Sequence, residues 1–324
     1  MKKLVLLSFA VATVLLILMV SSIGLQDVAA AFAGINPLYI PVIVLIPLCI
    51  ILIFAFRWML LLRSVGLDVS FRVVFKHTFI GSAFNNITPI LRFGGEPVRI
   101  YLLSDEVSAK RDRVVASVAI DSIITAVSLI VLAYFGTVSL AMLKVLDWFS
   151  LWLMLTMMLL PLTLGIYGFC DRRLFVKIAR FTTRIVSRMS ARWARKMTDN
   201  MMSIRENMKV AVKERGIMYR AVILGFAERF LEVLCIYVIM NALGFDIGLQ
   251  ASAVVIGIGI IAGAIPLFPG GLVLYESSVI LVLGLFGVPA AVAAIAVLLY
   301  RITNYWMITL IGLSMGWLHG VRSS

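Results

Sequence analysis

The chain has 324 residues, of which 62% are hydrophobic and only 14% charged, with a formal net charge of +13 and a mean hydropathy of +1.08. Soluble domains carry roughly a quarter charged residues, so the composition excludes that class and calls for a polytopic all-α membrane protein. The three cysteines, Cys49, Cys170 and Cys235, and the two histidines, His77 and His319, are scattered; neither a disulfide framework nor a metal site is expected, and no catalytic residue or cofactor is expected either.

The first apolar run, residues 4–23 after Lys2 and Lys3, has the length of a spanning helix. It is longer than a signal-peptide core, so a retained first helix is expected. Further spans are predicted over 37–63, 114–137, 149–170, 217–243 and 289–318, giving six full crossings. Lys2, Lys3, Arg57, Arg63, Arg72, Lys76, Lys110, Arg111, Arg113 and Arg322 fall on one side, against Lys144 alone on the other. The excess of basic residues on one side puts both termini in the cytoplasm of a cell-membrane protein.

Two stretches between these spans are broken by helix-disfavouring residues. Asn85-Asn86-Ile87-Thr88-Pro89-Ile90-Leu91-Arg92-Phe93-Gly94-Gly95-Glu96-Pro97-Val98-Arg99 interrupts the region 71–109, and Pro266-Leu267-Phe268-Pro269-Gly270-Gly271, followed by Tyr275 and Glu276, interrupts 251–287. By the topology above, the first stretch begins and ends inside and the second begins and ends outside. Each is expected to be a re-entrant helical hairpin, the two entering from opposite faces. The single membrane domain, 1–324, then divides into inverted units at 37–139 and 217–318. Interrupted segments in corresponding halves are the best sequence pointer to a transport site, whereas Gly/Pro breaks that only bend ordinary helices are the structural alternative.

The stretch 171–215 holds thirteen Lys/Arg and four Asp/Glu. Arg180, Arg184, Arg188, Arg192 and Lys196 recur every fourth residue beside Phe181, Ile185, Met189, Trp193 and Met197. This spacing predicts an amphipathic cytoplasmic helix on the membrane surface, drawn to anionic lipid headgroups. An ordinary basic loop is the alternative, and no nucleic-acid partner is expected because no recognition fold accompanies the charge.

Charged residues inside apolar spans are costly and mark functional sites by default. Besides Arg92, Glu96 and Arg99, the candidates are Glu228, Arg229 and Glu232 in the 217–243 span and Arg301 in the last. Asp121 lies on a polar stripe with Ser117, Thr125 and Ser128. The planar guanidinium fork and glycine amides at half-helix starts both suit phosphate, so Arg92, Arg99, Arg301 and the two Gly-Gly turns are expected to converge on one phosphate or phosphodiester. The alternative is structural ion pairs, with Glu96 or Glu232 as the expected partners. The Gly257 to Gly263 run lacks the spacing and preceding strand of a dinucleotide turn; close helix packing is its expected role.

At these residues the chain resembles a known family. Asn85-Asn86-x-x-Pro89-x-x-x-x-Gly94-Gly95-x-x-x-Arg99 with Tyr101 and Leu102, the Glu228-Arg229 pair, and Pro269-Gly270-Gly271-Leu272 with Glu276 look like the flippase-like membrane family. That family includes the N-terminal transmembrane region of lysylphosphatidylglycerol synthases and their stand-alone bacterial and archaeal relatives. The resemblance implies movement of a charged phospholipid or polyprenyl-phosphate-type lipid between leaflets. Phe268 replaces the family's usual Ser or Thr, and the aminoacyl-transfer domain has no counterpart here, so lysyl-lipid synthesis is not expected. The implied site is Asn85, Asn86, Arg92, Gly94, Gly95, Glu96, Arg99, Glu228, Arg229, Glu232, Pro269, Gly270, Gly271, Tyr275, Glu276 and Arg301. A homo-oligomer and a separate lipid-modifying or glycosyltransferase partner are compatible with it, and a lipid-modifying transferase or a small-anion carrier are the alternative functions.

Overall fold

The structure, a computed structural model, describes residues 34–88, 94–145, 191–263 and 273–323 and a few positions between 152 and 171. The expected helix at 4–23, most of the 149–170 span, and Arg92, Pro269, Gly270 and Gly271 lie outside the described residues. Among these residues every regular element is helical: α1 Tyr39–Ser64, α2 Phe71–Ile87, α3 Gly95–Glu106, α4 Arg111–Met142, α5 Ala191–Lys213, α6 Arg215–Ala242, α7 Gly248–Gly263, α8 Leu274–Leu285 and α9 Ala290–Arg301. The last continues through a π-helical stretch, Ile302–Met307, into α10 Ile308–Ser323. Among the described residues three rods, Tyr39–Ser64, Arg111–Met142 and Ala290–Leu318, are long and apolar enough to cross a membrane.

Charge keeps α6 out of that set, yet its outer face is apolar. Val222, Ile223, Phe226 and Phe230 are exposed while Glu228 is buried, the reverse of a soluble amphipathic helix. Exposed Leu45, Leu52, Val131, Phe135 and Leu310 on the rods and Leu281 on α8 extend the same apolar exterior, as a lipid solvent permits.

The helices fall into two matching series, α1–α4 and α6–α10. The broken-hairpin elements begin at 71 and 248, which are 177 positions apart, and at 95 and 274, which are 179 apart. The rods that follow begin at 111 and 290, again 179 apart. Both leading helices end in the same way. Gly66 (φ 76°) and Gly244 (φ 82°) take the left-handed conformation, letting Leu67 N–H reach Leu62 O and Phe245 N–H reach Met240 O, a closure that favours glycine for want of a Cβ. The linkers align residue by residue, Gly66-Leu67-Asp68-Val69-Ser70 with Gly244-Phe245-Asp246-Ile247-Gly248.

Packing is reciprocal between the series. Helices α1 and α6 pack on each other, α2 packs on α10, and α7 packs on α4. Glycines set the last two approaches: a Cβ on Gly312 would strike Phe79 O and Ala83 of α2, and one on Gly257 would lie 2.6 Å from Leu132 O of α4. Each series also packs its own hairpin, α2 on α3 and α7 on α8. The described part of α5 docks on α4, where Ser203 and Asn207 donate to Asp112 and Met208 and Ala211 join a buried apolar cluster. Positions 180–197, on which the basic-stripe expectation rests, lie outside the described side chains.

Candidate functional site

Helix α3 starts at Gly95, which is wedged against α2. A Cβ there would collide with the Gly81 carbonyl and the Asn85 side chain. The Gly95 N–H donates to Asn85 Oδ1 at 2.6 Å, and Asn85 Nδ2 donates to Glu96 Oε2 at 3.3 Å. The expectation that this glycine leaves its amide open to a headgroup is therefore corrected. Asn85 takes that amide, and the close approach is between two helices.

One turn on, Arg99 is buried. Its Nη2 donates to Asp121 Oδ2 of α4 at 2.7 Å, and its guanidinium lies over Phe54 and Trp58 of α1, 5.0 and 4.8 Å from the ring centroids. Asp121 holds a second arginine, since Arg57 Nε lies 2.9 Å from its Oδ1. Arg57 Nη2 also donates to Thr125 at 2.7 Å, and Trp58 Nε1 donates to Ser117 at 3.2 Å, so the polar stripe of α4 faces α1. Gly225 of α6 makes room for Arg57, because a Cβ there would lie 3.0 Å from Nη1. Sequence reasoning placed Arg57 among the cytoplasmic loop charges, and the structure buries it fully. The missed signal was its isolation, for it is the one charge between Tyr39 and Leu62.

The cluster continues into α6. Glu228 Oε1 lies 3.5 Å from Arg57, Glu228 Oε2 lies 3.4 Å from Arg229, and Arg229 pairs closely with Glu232 at 2.5 Å. In the second series Arg301 Nε donates to Glu276 Oε1 of α8 at 2.6 Å. Its guanidinium lies 4.7 Å from the Tyr275 ring and 5.3 Å from that of Tyr305, and Tyr275 stacks on Tyr300. The expected acid Glu96 lies 3.5 Å from Arg99, whereas the ion-pair partner of Arg301 is Glu276 and not Glu232; the sequence distance of 25 positions hid a contact between neighbouring helices.

Arg301 ends the α-helical register of its rod, and the π-helical turn that follows carries Tyr305 to the first hairpin. Its hydroxyl donates to Asn86 O at 2.7 Å, while Asn86 Nδ2 donates to Thr309 at 2.9 Å. Such π-turns recur at functional sites. Among the described candidates, then, Asn85, Gly95, Glu96 and Arg99 form one group, Glu228, Arg229 and Glu232 a second, and Tyr275, Glu276 and Arg301 a third. Gly94 lies beside Thr88, and Asn86 ties the first hairpin to the third group. Val273, immediately ahead of α8, has φ 73°, a strained conformation for a β-branched residue that tends to accumulate at functional sites. No cluster suited to a metal ion occurs among the described residues.

The family model described as the lysylphosphatidylglycerol synthase TM region matches residues 5–312. The chain belongs to that family. It is similar to a UPF0104 membrane protein of Methanothermobacter thermautotrophicus, 28% identical over 94% of this chain and 92% of the relative. A UPF0104 membrane protein of Methanocaldococcus jannaschii is 24% identical over 90% of this chain and 87% of its own length, and one of Pyrococcus horikoshii is 24% identical over 96% of each. Membership over nearly the whole length makes this an integral, multi-pass membrane protein.

Proposed function

We propose that this protein moves a lipid with a phosphate-bearing headgroup, a phospholipid or polyprenyl-phosphate type, between membrane leaflets. One observation carries the reading. Arg57 Nη1 and Arg99 Nε and Nη1 are buried without a hydrogen-bond acceptor among the described residues, at the junction of the first broken hairpin with the α1–α6 crossing. A buried donor without a partner is costly, and a guanidinium fork held ready beside a helix break suits a phosphate. The synthase transmembrane region after which the family is described points toward the same lipid chemistry.

In this reading α2–α3 and α7–α8 are re-entrant hairpins entering from opposite faces, within six spans and with both termini cytoplasmic. The two reciprocally packed series are the inverted units of an alternating-access transporter, and the basic 171–215 segment rests on anionic headgroups. Cysteine labelling from outside should reach position 246 and fail at position 190; the opposite pattern rejects the topology.

Function is tested in liposomes carrying a fluorescent phosphatidylglycerol analogue. A membrane-impermeant reductant should bleach all of the fluorescence when protein is present and about half, the outer leaflet, when it is not. Arg99→Lys should be nearly as slow as Arg99→Ala, because a point charge does not replace a bidentate fork. Persistence of the protected half with folded wild-type protein overturns the proposal, and an altered lipid mass would mark a transferase.

A further inference from the structure

The buried cluster around Asp121 is unequal in sign and in closeness of pairing. Arg57, Arg99 and Arg229 face four carboxylates, Glu96, Asp121, Glu228 and Glu232. Each of the three arginines has a carboxylate other than Glu228 within 3 Å: Asp121 for Arg57 and Arg99, at 2.9 and 2.7 Å, and Glu232 for Arg229, at 2.5 Å. Glu228 has only the two longer contacts, 3.5 Å to Arg57 and 3.4 Å to Arg229, while its side chain is 3% exposed. Its Oε1 has no hydrogen-bond partner among the described residues. Glu96 also lacks an arginine within 3 Å, lying 3.5 Å from Arg99, but its side chain is 20% exposed and it accepts from Asn85; of these two loosely paired acids Glu228 is the one sealed from water.

The groups facing it are few. Helix α1 presents Arg57, α4 presents Asp121 and Thr125, and α6 itself presents Arg229 and Glu232; α7 has no ionisable residue in its length. Tyr300 of α9 lies within electrostatic range of Arg229 and Glu232. Glu232, one turn further along α6 and 18% exposed, offers a step toward water.

We propose that Glu228 is a proton-binding site, and that a proton travels with the anionic headgroup. This rests on the transport reading above. A phosphate drawn to the open nitrogens of Arg57 and Arg99 would raise the negative count beside a cluster already one acid in surplus. Adding one proton to a Glu228 carboxylate oxygen offsets that charge. The proton comes from water on the side where the lipid enters and returns to water on the other side, with only the O–H bond made and broken. A low-dielectric setting favours such neutralisation over an unmatched charge.

Infrared spectroscopy of the full chain in phosphatidylcholine/phosphatidylglycerol liposomes tests the site without reference to transport. The expected result is a deuterium-sensitive band of a protonated carboxyl that is lost as pH is raised. It should shift when the unmutated chain carries carbon-labelled glutamate, vanish in Glu228→Gln and persist in Glu232→Gln. Absence of the band, its failure to shift with labelled glutamate, or its survival in Glu228→Gln overturns the site; the labelling arm needs no variant to fold. A gradient of one pH unit should then bias the fluorescent lipid between leaflets by up to about tenfold for one proton per lipid, and no bias with the band present overturns the coupling. A titrating band with no lipid movement under any gradient would reject the flippase reading and leave the proton site standing.

Discussion

The two helix series share a plan and reverse its charges. In the first, the second hairpin helix supplies the cation and the rod that follows supplies the acid, Arg99 to Asp121. In the second, the hairpin supplies the acid and the rod the cation, Glu276 to Arg301. Each arginine is flanked by two rings, Phe54 and Trp58 or Tyr275 and Tyr305. Where α1 sends Arg57 to Thr125, the matching positions of α6 and the last rod bring Cys235 to Asn304 at 3.3 Å. The backbone closures at Gly66 and Gly244 match in the two halves, where helix packing tolerates little change, whereas a polar pair has only to be complementary. Under the proposed transport, two hairpins latched by opposite polarity would answer differently to one anionic headgroup.

The sharpest way to break this comparison is to remove the acid from each latch. Asp121→Leu leaves both Arg57 and Arg99 without their closest carboxylate, and loss of about 3 to 5 kcal/mol is expected for breaking a buried pair. Glu276→Leu strands only Arg301, whose rings remain, so its loss should fall at the low end of that range; thermal unfolding of purified protein in detergent measures both. Transposition separates the halves further. Glu276→Arg with Arg301→Glu gives the second latch the polarity of the first and should recover much of the loss. The same exchange at Arg99 and Asp121 should not, because it sets a second arginine against Arg57. Equal rescue in both would mean that Arg57 does not belong to the cluster.

Packing should behave alike in the two halves. Gly257→Ala and Gly312→Ala each push a methyl into a facing backbone carbonyl, and overpacking of this kind costs about 1 to 3 kcal/mol. Gly284→Ala meets nothing within 4 Å and should be neutral or gain up to about 1 kcal/mol of helix propensity. A much larger loss at one of the two packed sites would show that the reciprocal contacts are not equivalent.

Much of this comparison could be read from the sequence. Clustered Pro and Gly pointed to the separation of α2 from α3 and of α7 from α8 because they disfavour a continuing helix, and apolar length marks the rods at Tyr39–Ser64, Arg111–Met142 and Ala290–Leu318. The glycine role of Gly257 followed from small-residue spacing. The pairing of charges did not follow, since Arg57, Asp121 and Glu228 sit on three helices whose relative rotation is a tertiary fact. Arg301 was matched to Glu232 and not to Glu276 for the same reason. The internal repeat was legible as two interrupted segments in corresponding halves; the residue-level echo, Gly-Leu-Asp-Val-Ser against Gly-Phe-Asp-Ile-Gly, became visible once Gly66 and Gly244 were seen to close equivalent helices.

The smallest expected difference between the halves lies at the outer end of the first hairpin. Glu106 joins α3 to α2 by accepting from Lys76 at 2.6 Å and lying 2.8 Å from His77 Nε2. The positions matching Lys76, His77 and Glu106 in the second series are Ala253, Val254 and Leu285, so that hairpin has no such clamp. Burial pushes the Glu106 carboxyl up, but the bond and charge of Lys76 and the charge of His77 outweigh it and hold the group below its ordinary value of 4.5. A depressed carboxylate contributes stability above its unfolded pKa and loses it as pH falls through the lower folded value. The clamp should therefore be intact at neutral pH and dissolve only below about 4.5. Because Glu106 and Lys76 are partly exposed, the gain is small, about 0.2 to 1 kcal/mol. Amide exchange across α2–α3 should rise in acid, and Glu106→Gln should remove that dependence while leaving exchange across α7–α8 unchanged. Acid-dependent exchange of equal size in both hairpins would mean that the clamp does not distinguish them.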